Sequence, residues 1–525
     1  AAAETAVAEA LQLGAKTFVM MTGGFGEQGP EGKAREKRLV EQIKSHGAVL
    51  FGPNCVGIHD ADTDLYAGRI LYPNGPIGVV SQSGLITHDL SRYCRDINSG
   101  FSRCINLGNQ ADFDVRDGLD AFVGHKPTKA LIVYCEDMLN GREFMSAASR
   151  VVNSGIPLIL ITVGASEAAA SSAKSHTGAL VSDIAIVDAA CRMTGVHRAS
   201  CTSEAIALAH AFSVSSSLPK GLRTAVLTDG GGCGTVMSEL VEGAGLTLPV
   251  FSRGLQERIQ TVAGVRTSAS NPVDLAGEAD YDLSIYHSVS KEILESGEID
   301  SLLITGFFGG YSSEGGSFGT QETELAGQIA ELSLANKCPT LVHSVYPNYA
   351  TGEKFRSKGV PVFRDIDRTA VVLAALASQN LQVNRRDIPG LPTSTEIQLE
   401  KSDYWSARNL LERAGIAFPK ARLVENKSEL DSISGELEFP VVLKAIGLLH
   451  KSDKGGVVLG LNNIESLNTA FTQMCTNIPN SPYTIEQQAP LSKGVELLVG
   501  AKIDPRFGPV ISVGLGGIYT EVFNQ

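Results

Sequence analysis

Two histidines lie in stretches of small and hydroxyl residues, next to glycine-rich turns. His176 stands in the segment 174–180, Lys-Ser-His-Thr-Gly-Ala-Leu, and His450 opens the segment 450–456, His-Lys-Ser-Asp-Lys-Gly-Gly. A neutral imidazole is a nucleophile and can take up a phosphoryl group. Two such histidines on segments of different character suggest a phosphoryl group that is loaded at one place and used at another. The alternative for His176 is a loop histidine that only forms hydrogen bonds, and the alternative for His450 is a phosphate-sensing histidine in a flexible loop.

A phosphohistidine needs a partner for its second ring nitrogen. Glu136 follows the apolar stretch 131–135, which is predicted to be a buried strand. A carboxylate at the C-terminal end of such a strand points into the ligand crevice of an α/β sheet, where it can accept the imidazole N–H and stabilise the charged ring. A solvated acid at a turn, beside Asp137, is the alternative.

The phosphoryl oxygens need hydrogen-bond donors, and two glycine-rich turns can supply them. Each turn follows a predicted strand and opens a predicted helix, where free N–H groups and the helix dipole favour an anion. Plain turn chemistry is the alternative for either turn alone, and Cys233 stands where a small residue or a proline is expected. The turns span 81–84 and 229–234, and their candidate phosphate-binding residues are Ser81, Ser83, Gly84, Gly231, Gly232 and Gly234.

The elements that must position these residues follow an α/β pattern. Short β-branched runs alternate with helical periodicity along nearly the whole chain. Runs that are apolar throughout predict strands buried on both faces, as doubly wound parallel sheets require. The predicted strands are 17–21, 48–51, 77–81, 130–135, 158–163, 224–228, 301–305 and 340–344, and the predicted helices include 85–95, 142–153, 235–244, 322–336 and 366–377.

The length of 525 residues predicts three or four domains of ordinary size. Stretches rich in proline, glycine or serine at 72–76, 213–222 and 384–394 divide the chain. A helix at 4–13 feeds the first strand with no strand before it, and a further strand is predicted at 519–523, so both ends are expected to lie inside domains. The predicted domains are 1–75, 76–215, 220–385 and 396–525.

Composition argues against several classes of function. The net charge is −13 and no basic stripe is present, which disfavours nucleic acid and membranes as partners. The nine cysteines form no CxxC pair and are odd in number, which disfavours a disulfide framework or a structural zinc site and favours a reducing cytoplasm. The longest apolar runs are of strand length, and the N-terminal residues show no signal-peptide pattern.

Seven short motifs occur in one order along the chain. Together they closely resemble the NDP-forming acyl-CoA synthetases, which include the ADP-forming acetate–CoA ligases and the succinyl-CoA synthetases. The resemblance covers essentially the whole chain. The motifs are Gly-Pro-Asn-Cys-Val-Gly at 52–57, Ser-Gln-Ser-Gly at 81–84, Tyr-Cys-Glu at 134–136, Ser-His-Thr-Gly at 175–178, Asp-Gly-Gly-Gly-Cys-Gly at 229–234, Asn-Pro-Val-Asp at 271–274 and His-Lys-Ser-Asp at 450–453.

The resemblance implies an α/β, multi-domain fold with doubly wound parallel sheets. In that family a CoA-binding Rossmann domain precedes two flavodoxin-like ligase domains and an ATP-grasp module. Residues 1–75 then correspond to part of the CoA-binding domain and 76–215 to the first ligase domain, which carries the phosphohistidine. Residues 220–385 correspond to the second ligase domain, and 396–525 to part of the ATP-grasp module.

The resemblance also implies roles for single residues. His176 matches the phosphorylated histidine that attacks an acyl phosphate, Glu136 matches its carboxylate partner, and His450 matches a second, mobile phosphate carrier. An Asx-type turn remains the alternative for Asn54, and a conformational corner remains the alternative for Asn271. The residues that match substrate contacts are Asn54 and Asn271, and those that match the ATP site are Lys444, Glu486 and Glu496.

The implied reaction joins a carboxylic acid to coenzyme A, with ATP converted to ADP and phosphate in the presence of Mg²⁺. ATP phosphorylates His450, which passes the phosphoryl group to His176. The acid takes it up as an acyl phosphate, and the CoA thiolate then displaces phosphate. The magnesium ligands are not assigned, and Glu521 is a poor candidate. The expected partners are a small carboxylic acid, CoA, ATP and a second copy of the chain in a homodimer.

Two rival functions remain open. In one variant of the superfamily the thioester goes on to lose a β-substituent, as in the ATP-dependent dimethylsulfoniopropionate lyase, and Glu314 in the segment 309–314 is the candidate base. In the other, the chain is a regulatory module that binds CoA or nucleotide without catalysis, although the presence of both histidines argues against it.

Overall fold

The computed structural model describes residues 2–164, 166, 168, 183–381, 403–446, 455–479, 481–490 and 494–516. The chain divides into two compact units. The first comprises Ala1–Ile388 with Ile503–Val510, and the second comprises Pro389–Lys502 with Ile511–Gln525. None of the helices in the described ranges combines the length and the apolar character that a membrane span requires.

The first unit opens with a small parallel α/β layer. Pro30 suits the start of its second helix, because a fixed φ and a missing N–H cost nothing at the first helical position. The two strands pair in parallel, and Leu39, Ile43 and Leu50 are at most 2% exposed in the shared core. The predicted strands at 17–21 and 48–51 are therefore present but shorter. The elements are α1 (Ala2–Gln12), β1 (Thr17–Val19), α2 (Pro30–Ser45) and β2 (Val49–Phe51).

A seven-stranded sheet follows, with the strand order β4-β3-β6-β5-β7-β8-β9. Strands β5 to β9 run parallel, whereas β3 is antiparallel to both β4 and β6. Every residue of β7 is buried, and alternate residues of this strand enter two different cores, as a sheet covered on both faces requires. The strands are β3 (Gly57–Asp60), β4 (Leu65–Gly68), β5 (Asn74–Ser81), β6 (Phe101–Asn106), β7 (Ala130–Cys135), β8 (Leu158–Thr162) and β9 (His197–Ala199).

A five-stranded parallel sheet comes next, with the order β11-β10-β12-β13-β14. The helices of the two large sheets are α3 (Gly84–Asp96), α4 (Val115–Asp120), α5 (Gly141–Asn153), α6 (Ile184–Thr194), α7 (Thr202–Val214), α8 (Gly231–Gly243), α9 (Arg253–Ala263), α10 (Ser284–Glu295), α11 (Tyr311–Glu314), α12 (Gly316–Asn336), α13 (Ala350–Ser357) and α14 (Ile366–Leu381). The strands are β10 (Thr224–Thr228), β11 (Val273–Asp274), β12 (Ser301–Thr305), β13 (Thr340–His343) and β14 (Val362–Phe363).

Helices α3, α7, α8 and α14 pack together between the two large sheets. Leu90, Met237 and Leu373, from three of these helices, are fully buried in one core with residues of both sheets. Seven consecutive residues of α7 are buried, so this helix is enclosed on all sides. The shared core makes the two sheets one packed body within the first unit.

The second unit contains an antiparallel sheet of four described strands, in the order β15-β18-β16-β17. Phe471 and Tyr483 are at most 2% exposed in its core. Two further strands, β19 (Leu497–Asp504) and β20 (Gly508–Leu515), pair with each other. The other elements are α15 (Tyr404–Arg413), β15 (Ala421–Val424), α16 (Lys427–Ile433), β16 (Val441–Ala445), β17 (Val457–Leu461), α17 (Ile464–Asn477) and β18 (Tyr483–Gln487).

Several boundaries differ from those predicted. Helix α8 begins at Gly231 rather than at 235, and α12 begins at Gly316 rather than at 322. The first turn of each helix contains glycines, whose helix propensity is low, so the sequence alone does not predict these turns. Tertiary packing stabilises them in the fold. Strands β3, β4, β9, β11 and β14 were not predicted, since each is only two to four residues long. Strand β6 was also missed, because Ser102 and Arg103 interrupt its apolar run. The predicted strand at 519–523 and the predicted linker at 384–394 lie outside the described residues.

Candidate functional site

Glu136 lies directly after β7, beside the end of β5. The side-chain carbonyl of Gln82 accepts hydrogen bonds from the N–H groups of Glu136 and Asp137, the second at 3.1 Å. Tyr134 donates its hydroxyl hydrogen to Glu136 Oε1 at 2.9 Å. Burial, followed by the charge of Glu136, raises the pKa of Tyr134, so this hydroxyl stays a donor. Gln82 thus joins the two strand ends and holds Glu136 at the edge of the sheet.

The first glycine-rich turn joins β5 to α3. Ser81 is fully buried, and its Oγ accepts from the Ser83 N–H at 3.2 Å and donates to the Ser83 carbonyl at 2.8 Å. Ser83 caps α3, because its Oγ accepts from the Ile86 N–H at 3.3 Å. In the described part of the chain, no group accepts from the N–H groups of Gly84 and Leu85, which remain available to an anion.

Gly84 is where the loop 52–57 meets this turn. A β-carbon on Gly84 would overlap Cγ1 of Val56. The Val56 N–H donates to Asn106 Oδ1 at 3.0 Å, and Asn106 Nδ2 donates to the Ser81 carbonyl at 3.0 Å. Asn106 is fully buried and fixes the loop against the turn. Sequence reasoning missed Asn106, although a polar residue at the end of a buried strand is the same signal that pointed to Glu136.

Asn54 belongs to a cluster of polar side chains beside this loop. It has a φ of +58°, a region that asparagine tolerates better than most residues. Its Nδ2 donates to Asn109 Oδ1 at 3.3 Å, and Asn109 Nδ2 donates to Glu27 at 2.6 Å and to Glu36 at 2.8 Å. Burial opposes the ionisation of Glu27, but hydrogen bonds from Asn109 and from backbone N–H groups outweigh it and lower the pKa of this carboxyl. The predicted site did not include Asn109, Glu27 or Glu36.

The second glycine-rich turn joins β10 to α8 and repeats the hydrogen bonds of the first. Thr228 Oγ1 accepts from the Gly230 N–H at 3.1 Å and donates to the Gly230 carbonyl at 3.0 Å, as Ser81 does with Ser83. Both large sheets of the first unit therefore end in the same kind of turn. Among the residues with described positions, no acceptor was found for the N–H groups of Gly231, Gly232 and Cys233.

The packing around the second turn limits the residues that fit there. A β-carbon on Gly234 would lie 2.8 Å from Cγ2 of Thr228, and one on Gly231 would lie 3.0 Å from Oδ2 of Asp274. A β-carbon on Gly232 would meet nothing within 4 Å. Gly234 and Gly231 thus allow Thr228 and Asp274 to approach the backbone closely, whereas the space beside Gly232 at the helix start is open.

The side-chain amide of Asn271 is used by the backbone next to the second turn. Its Oδ1 accepts from the Val226 N–H at 3.0 Å, and its Nδ2 donates to the Thr224 carbonyl at 2.9 Å. These bonds hold β10 in place, which agrees with the alternative that Asn271 forms a conformational corner. A contact between Asn271 and the substrate stays a prediction.

In the second unit, an ion pair joins Lys444 on β16 to Glu486 on β18. Lys444 Nζ lies 2.8 Å from Glu486 Oε2, while Oε1 accepts from the hydroxyls of Tyr404 at 2.8 Å and Thr484 at 3.0 Å. Burial opposes the ionisation of Glu486, and the hydrogen bond and charge of Lys444 lead the contacts that outweigh it and lower its pKa. Two predicted ATP-site residues are thus in contact, whereas Glu496 is exposed just before β19.

The predicted phosphate carriers His176 and His450 lie outside the described residues, as does Glu521. A search of the described residues found no group of three or more histidine, cysteine or acidic side chains that could hold a metal ion. Glu314 is exposed in α11. Glu322, which was not predicted, is fully buried and accepts from two backbone N–H groups of the segment 309–314, at 2.6 and 2.9 Å.

Two family models match the chain. The one described as a succinyl-CoA ligase like flavodoxin domain matches residues 74–212, and the one described as an ATP-grasp domain matches residues 398–525. The first range contains Glu136 and the first glycine-rich turn, and the second contains Lys444 and Glu486.

Relatives of known activity match most of the chain. The 4-hydroxybutyrate–CoA ligase [ADP-forming] of Nitrosopumilus maritimus is 28% identical over 97% of this chain and 75% of its own length. The alpha subunit of acetate–CoA ligase [ADP-forming] II of Pyrococcus furiosus is 30% identical over 70% of this chain and 79% of its own. The acetyl-coenzyme A synthetase 1 of Ca. Korarchaeum cryptofilum, solved with phosphate and ADP, superposes with a TM-score of 0.61 at 27% identity, over 71% of this chain and 79% of its own. The chain therefore belongs to the family of the ADP-forming acid–CoA ligases.

Proposed function

We propose that the chain ligates a carboxylic acid to coenzyme A and converts ATP to ADP and phosphate, through phosphohistidine and acyl-phosphate intermediates. The observation that carries this proposal is the repeated turn at the ends of the two large sheets. Each repeat leaves backbone N–H groups at a helix start without a protein acceptor in the described structure. Such donors hold a phosphoryl group by hydrogen bonds and by the positive end of the helix dipole.

The phosphoryl group is proposed to move in three steps. His450 takes it from ATP and releases ADP, and His176 then takes it from His450. The carboxylate oxygen of the acid attacks the phosphorus, which frees His176 and gives an acyl phosphate. The CoA thiolate attacks the acyl carbon, and inorganic phosphate leaves. Phosphohistidine and acyl phosphate are both high-energy species, so the protein contributes mainly positioning and charge stabilisation.

Glu136 is proposed to hold the ring of phosphorylated His176. Its position after β7, tied to Gln82 and Tyr134, supports this role, because a carboxylate fixed from two sides can accept a ring N–H and stabilise the imidazolium. Asn54 is proposed to contact the acid, supported by its place in the loop that packs on Gly84.

Lys444 is proposed to bind the phosphates of ATP, with Glu486 and Glu496 as further contacts to the nucleotide. The ion pair with buried Glu486 supports this role, since it holds the lysine side chain in a defined position on β16. Mg²⁺ is proposed to accompany ATP as the counter-ion of its phosphates, as phosphoryl transfer from nucleotides generally requires.

A cytoplasmic homo-oligomer is proposed as the working form. The nine cysteines all lie within the described residues and none forms a disulfide, which supports a reducing compartment. The resemblance to the family supports pairing of ligase domains across two copies of the chain.

The test is a CoA-thiol consumption assay with ATP and Mg²⁺ over a panel of carboxylic acids, with ADP and acyl-CoA measured as products. We expect one acid class to consume thiol and ADP to form in equal amount, and His176→Ala to abolish both. Near-normal rates in His176→Ala would overturn the phosphohistidine route. Release of the β-substituent, with an α,β-unsaturated acyl-CoA left behind, would favour the lyase reaction. The absence of turnover with every acid would favour a regulatory module.

A further inference from the structure

A cavity of about 710 Å³ lies in the first unit, where α3 and α7 meet the ends of β13 and β14. Pockets of roughly 300 to 1,000 Å³ are the usual size for small-molecule ligands. Tyr93 and Asp96 line this cavity from the last turns of α3, and Tyr93 follows Ser83 by ten residues, or about 15 Å along the helix. The cavity is thus removed from the first glycine-rich turn, and the proposed reaction does not use it.

Three arginines line the cavity without a carboxylate partner. Arg356, Arg364 and Arg368 all contribute to its wall, and within the described residues no ion pair reaches any of them. Arg356 donates to a backbone carbonyl at 2.7 Å, and an Nη of Arg368 lies 3.9 Å from the sulfur of Cys201. Guanidinium groups bind carboxylate and phosphate oxygens in a fork geometry, so three of them around one cavity favour an anion with several oxygens.

His210 adds a buried polar atom that lacks a partner. It lies on the enclosed helix α7, is 3% exposed, and its Nε2 has no hydrogen-bond partner among the described atoms. His210 and Arg356 line both this cavity and a second one of about 360 Å³. A buried polar atom without a partner costs free energy, which a ligand atom placed opposite Nε2 would recover.

Aromatic side chains form one part of the wall, which also carries the carboxylates of Asp96 and Asp365. Tyr93, Tyr346, Tyr349 and Phe363 line the cavity, and the rings of Tyr346 and Tyr349 stand edge to face with centroids 5.8 Å apart. Aromatic faces stack on flat rings of ligands. We propose that this cavity binds a small phosphorylated compound that carries a flat ring, of the class of nucleoside monophosphates, at a site separate from the ATP site of the second unit.

The experiment uses equilibrium dialysis of radiolabelled AMP against the full chain, with the ATP site saturated by the β,γ-methylene analogue of ATP and Mg²⁺. We expect one AMP to bind per chain under these conditions. The double variant Arg364→Met/Arg368→Met and the single variant His210→Phe should each weaken binding at least tenfold. The matched control Arg253→Met should not, because Arg253 is a 92% exposed side chain on α9 whose one ion pair among the described residues is with its helix neighbour Glu257.

Displacement of AMP by the ATP analogue would overturn the proposal, as would unchanged affinity in the double variant Arg364→Met/Arg368→Met. His210→Phe replaces a buried side chain, so circular dichroism accompanies each measurement. The double variant Arg364→Met/Arg368→Met gives the decisive result if His210→Phe does not fold. Adenosine and inorganic phosphate are dialysed separately and should each bind at least tenfold more weakly than AMP. Phosphate binding as tightly as AMP would overturn the requirement for a ring. Acid–CoA ligation measured without AMP reports on the proposed function independently.

Discussion

A larger residue is excluded at position 84 by steric overlap with one neighbouring side chain, not by an unusual backbone angle. A β-carbon there would overlap Cγ1 of Val56, which is anchored through its N–H to buried Asn106. We expect Gly84→Ala to lower the turnover number of acid–CoA ligation by about tenfold or more, because the free N–H groups of the turn shift away from the phosphoryl position. Steady-state CoA-thiol consumption measures this loss.

Two matched variants separate steric overlap from loss of glycine itself. Val56→Ala/Gly84→Ala removes the overlapping methyl group and should recover most of the activity. Gly243→Ala, at the end of α8 and outside both turns, should keep activity within about twofold, because its β-carbon would meet nothing within 4 Å. A double variant as inactive as Gly84→Ala would contradict the steric account.

His210 makes the stability of the first unit depend on pH. Burial, with a smaller contribution from the charge of Arg356, lowers the pKa of this imidazole from 6.5 to about 4. Between these two values the unfolded chain binds a proton that the folded chain does not. Stability is therefore complete above pH 6.5 and falls as the pH drops towards 4, by about 1.4 kcal/mol per pH unit from this group.

The measurement is the free energy of unfolding in urea from pH 7 to pH 4, for the wild-type chain and for His210→Phe. Other groups titrate in this range, so the difference between the two proteins isolates His210. We expect the difference to change with pH in the stated direction, with the wild-type chain losing more stability on acidification. Parallel curves for the two proteins would show that His210 is not buried as a neutral ring.

Sequence reasoning found residues whose role follows from their place at the end of a strand. Glu136, Ser81 and the glycines of both turns belong to this kind, since the end of a buried parallel strand faces the ligand edge of its sheet. It missed Gln82, Asn106 and Asn109, whose roles depend on which neighbouring strand or loop the side chain reaches. That information is a property of strand order, which one sequence does not state.

At the scale of elements, the parallel strands could be predicted because they are long and apolar on both faces. The eight strands predicted between residues 17 and 344 all correspond to observed ones, from β1 to β13, whereas the parallel strand β6 was missed because Ser102 and Arg103 interrupt its apolar run. The antiparallel pair β3 and β4 was missed, because the half-exposed β4 has no apolar run. The start of α8 was placed four residues late, because glycine weakens a helix on its own and only the packing around Gly231 and Gly234 fixes it.

The segment Ile503–Val510 is packed against the start of α5 in the first unit. Phe507 is 4% exposed, and a β-carbon on Gly141 would lie 2.6 Å from its ring. The Gly141 N–H donates to the Arg506 carbonyl at 2.9 Å, and the Arg142 side chain donates to the Phe507 carbonyl at 2.8 Å. We expect Phe507→Ala to lower the free energy of unfolding of the first unit by about 3 kcal/mol, through the cavity left behind.

Urea unfolding together with limited proteolysis at residues 503–510 measures this effect. The control is Ile503→Ala in the same segment, since Ile503 is 83% exposed and its removal should cost less than about 0.5 kcal/mol. Equal stability of the two variants would mean that the ring of Phe507 contributes nothing to the core beside α5.

At the scale of the whole molecule, the residues proposed to act in the reaction are divided between the two compact units. Glu136 and both glycine-rich turns belong to the first unit, whereas the ion pair of Lys444 and Glu486 belongs to the second. In the proposed route a phosphoryl group starts on a nucleotide bound by one unit and ends on an acid bound by the other. The two proposed carriers differ in their phosphoryl donor from solution: His450 takes the group from ATP, and His176 can take it from an acyl phosphate.

This division predicts opposite labelling patterns for the two histidine variants. With labelled ATP, His450→Ala should take up no phosphoryl group, while His176→Ala should still be labelled at His450. With labelled acyl phosphate, His450→Ala should be labelled at His176, while His176→Ala should take up nothing. The acid-labile, base-stable label is measured after brief exposure to each donor, and the wild-type chain should be labelled by both. Labelling of His450→Ala by ATP at the wild-type level would mean that a single histidine receives the phosphoryl group directly, so the second unit would need no carrier of its own.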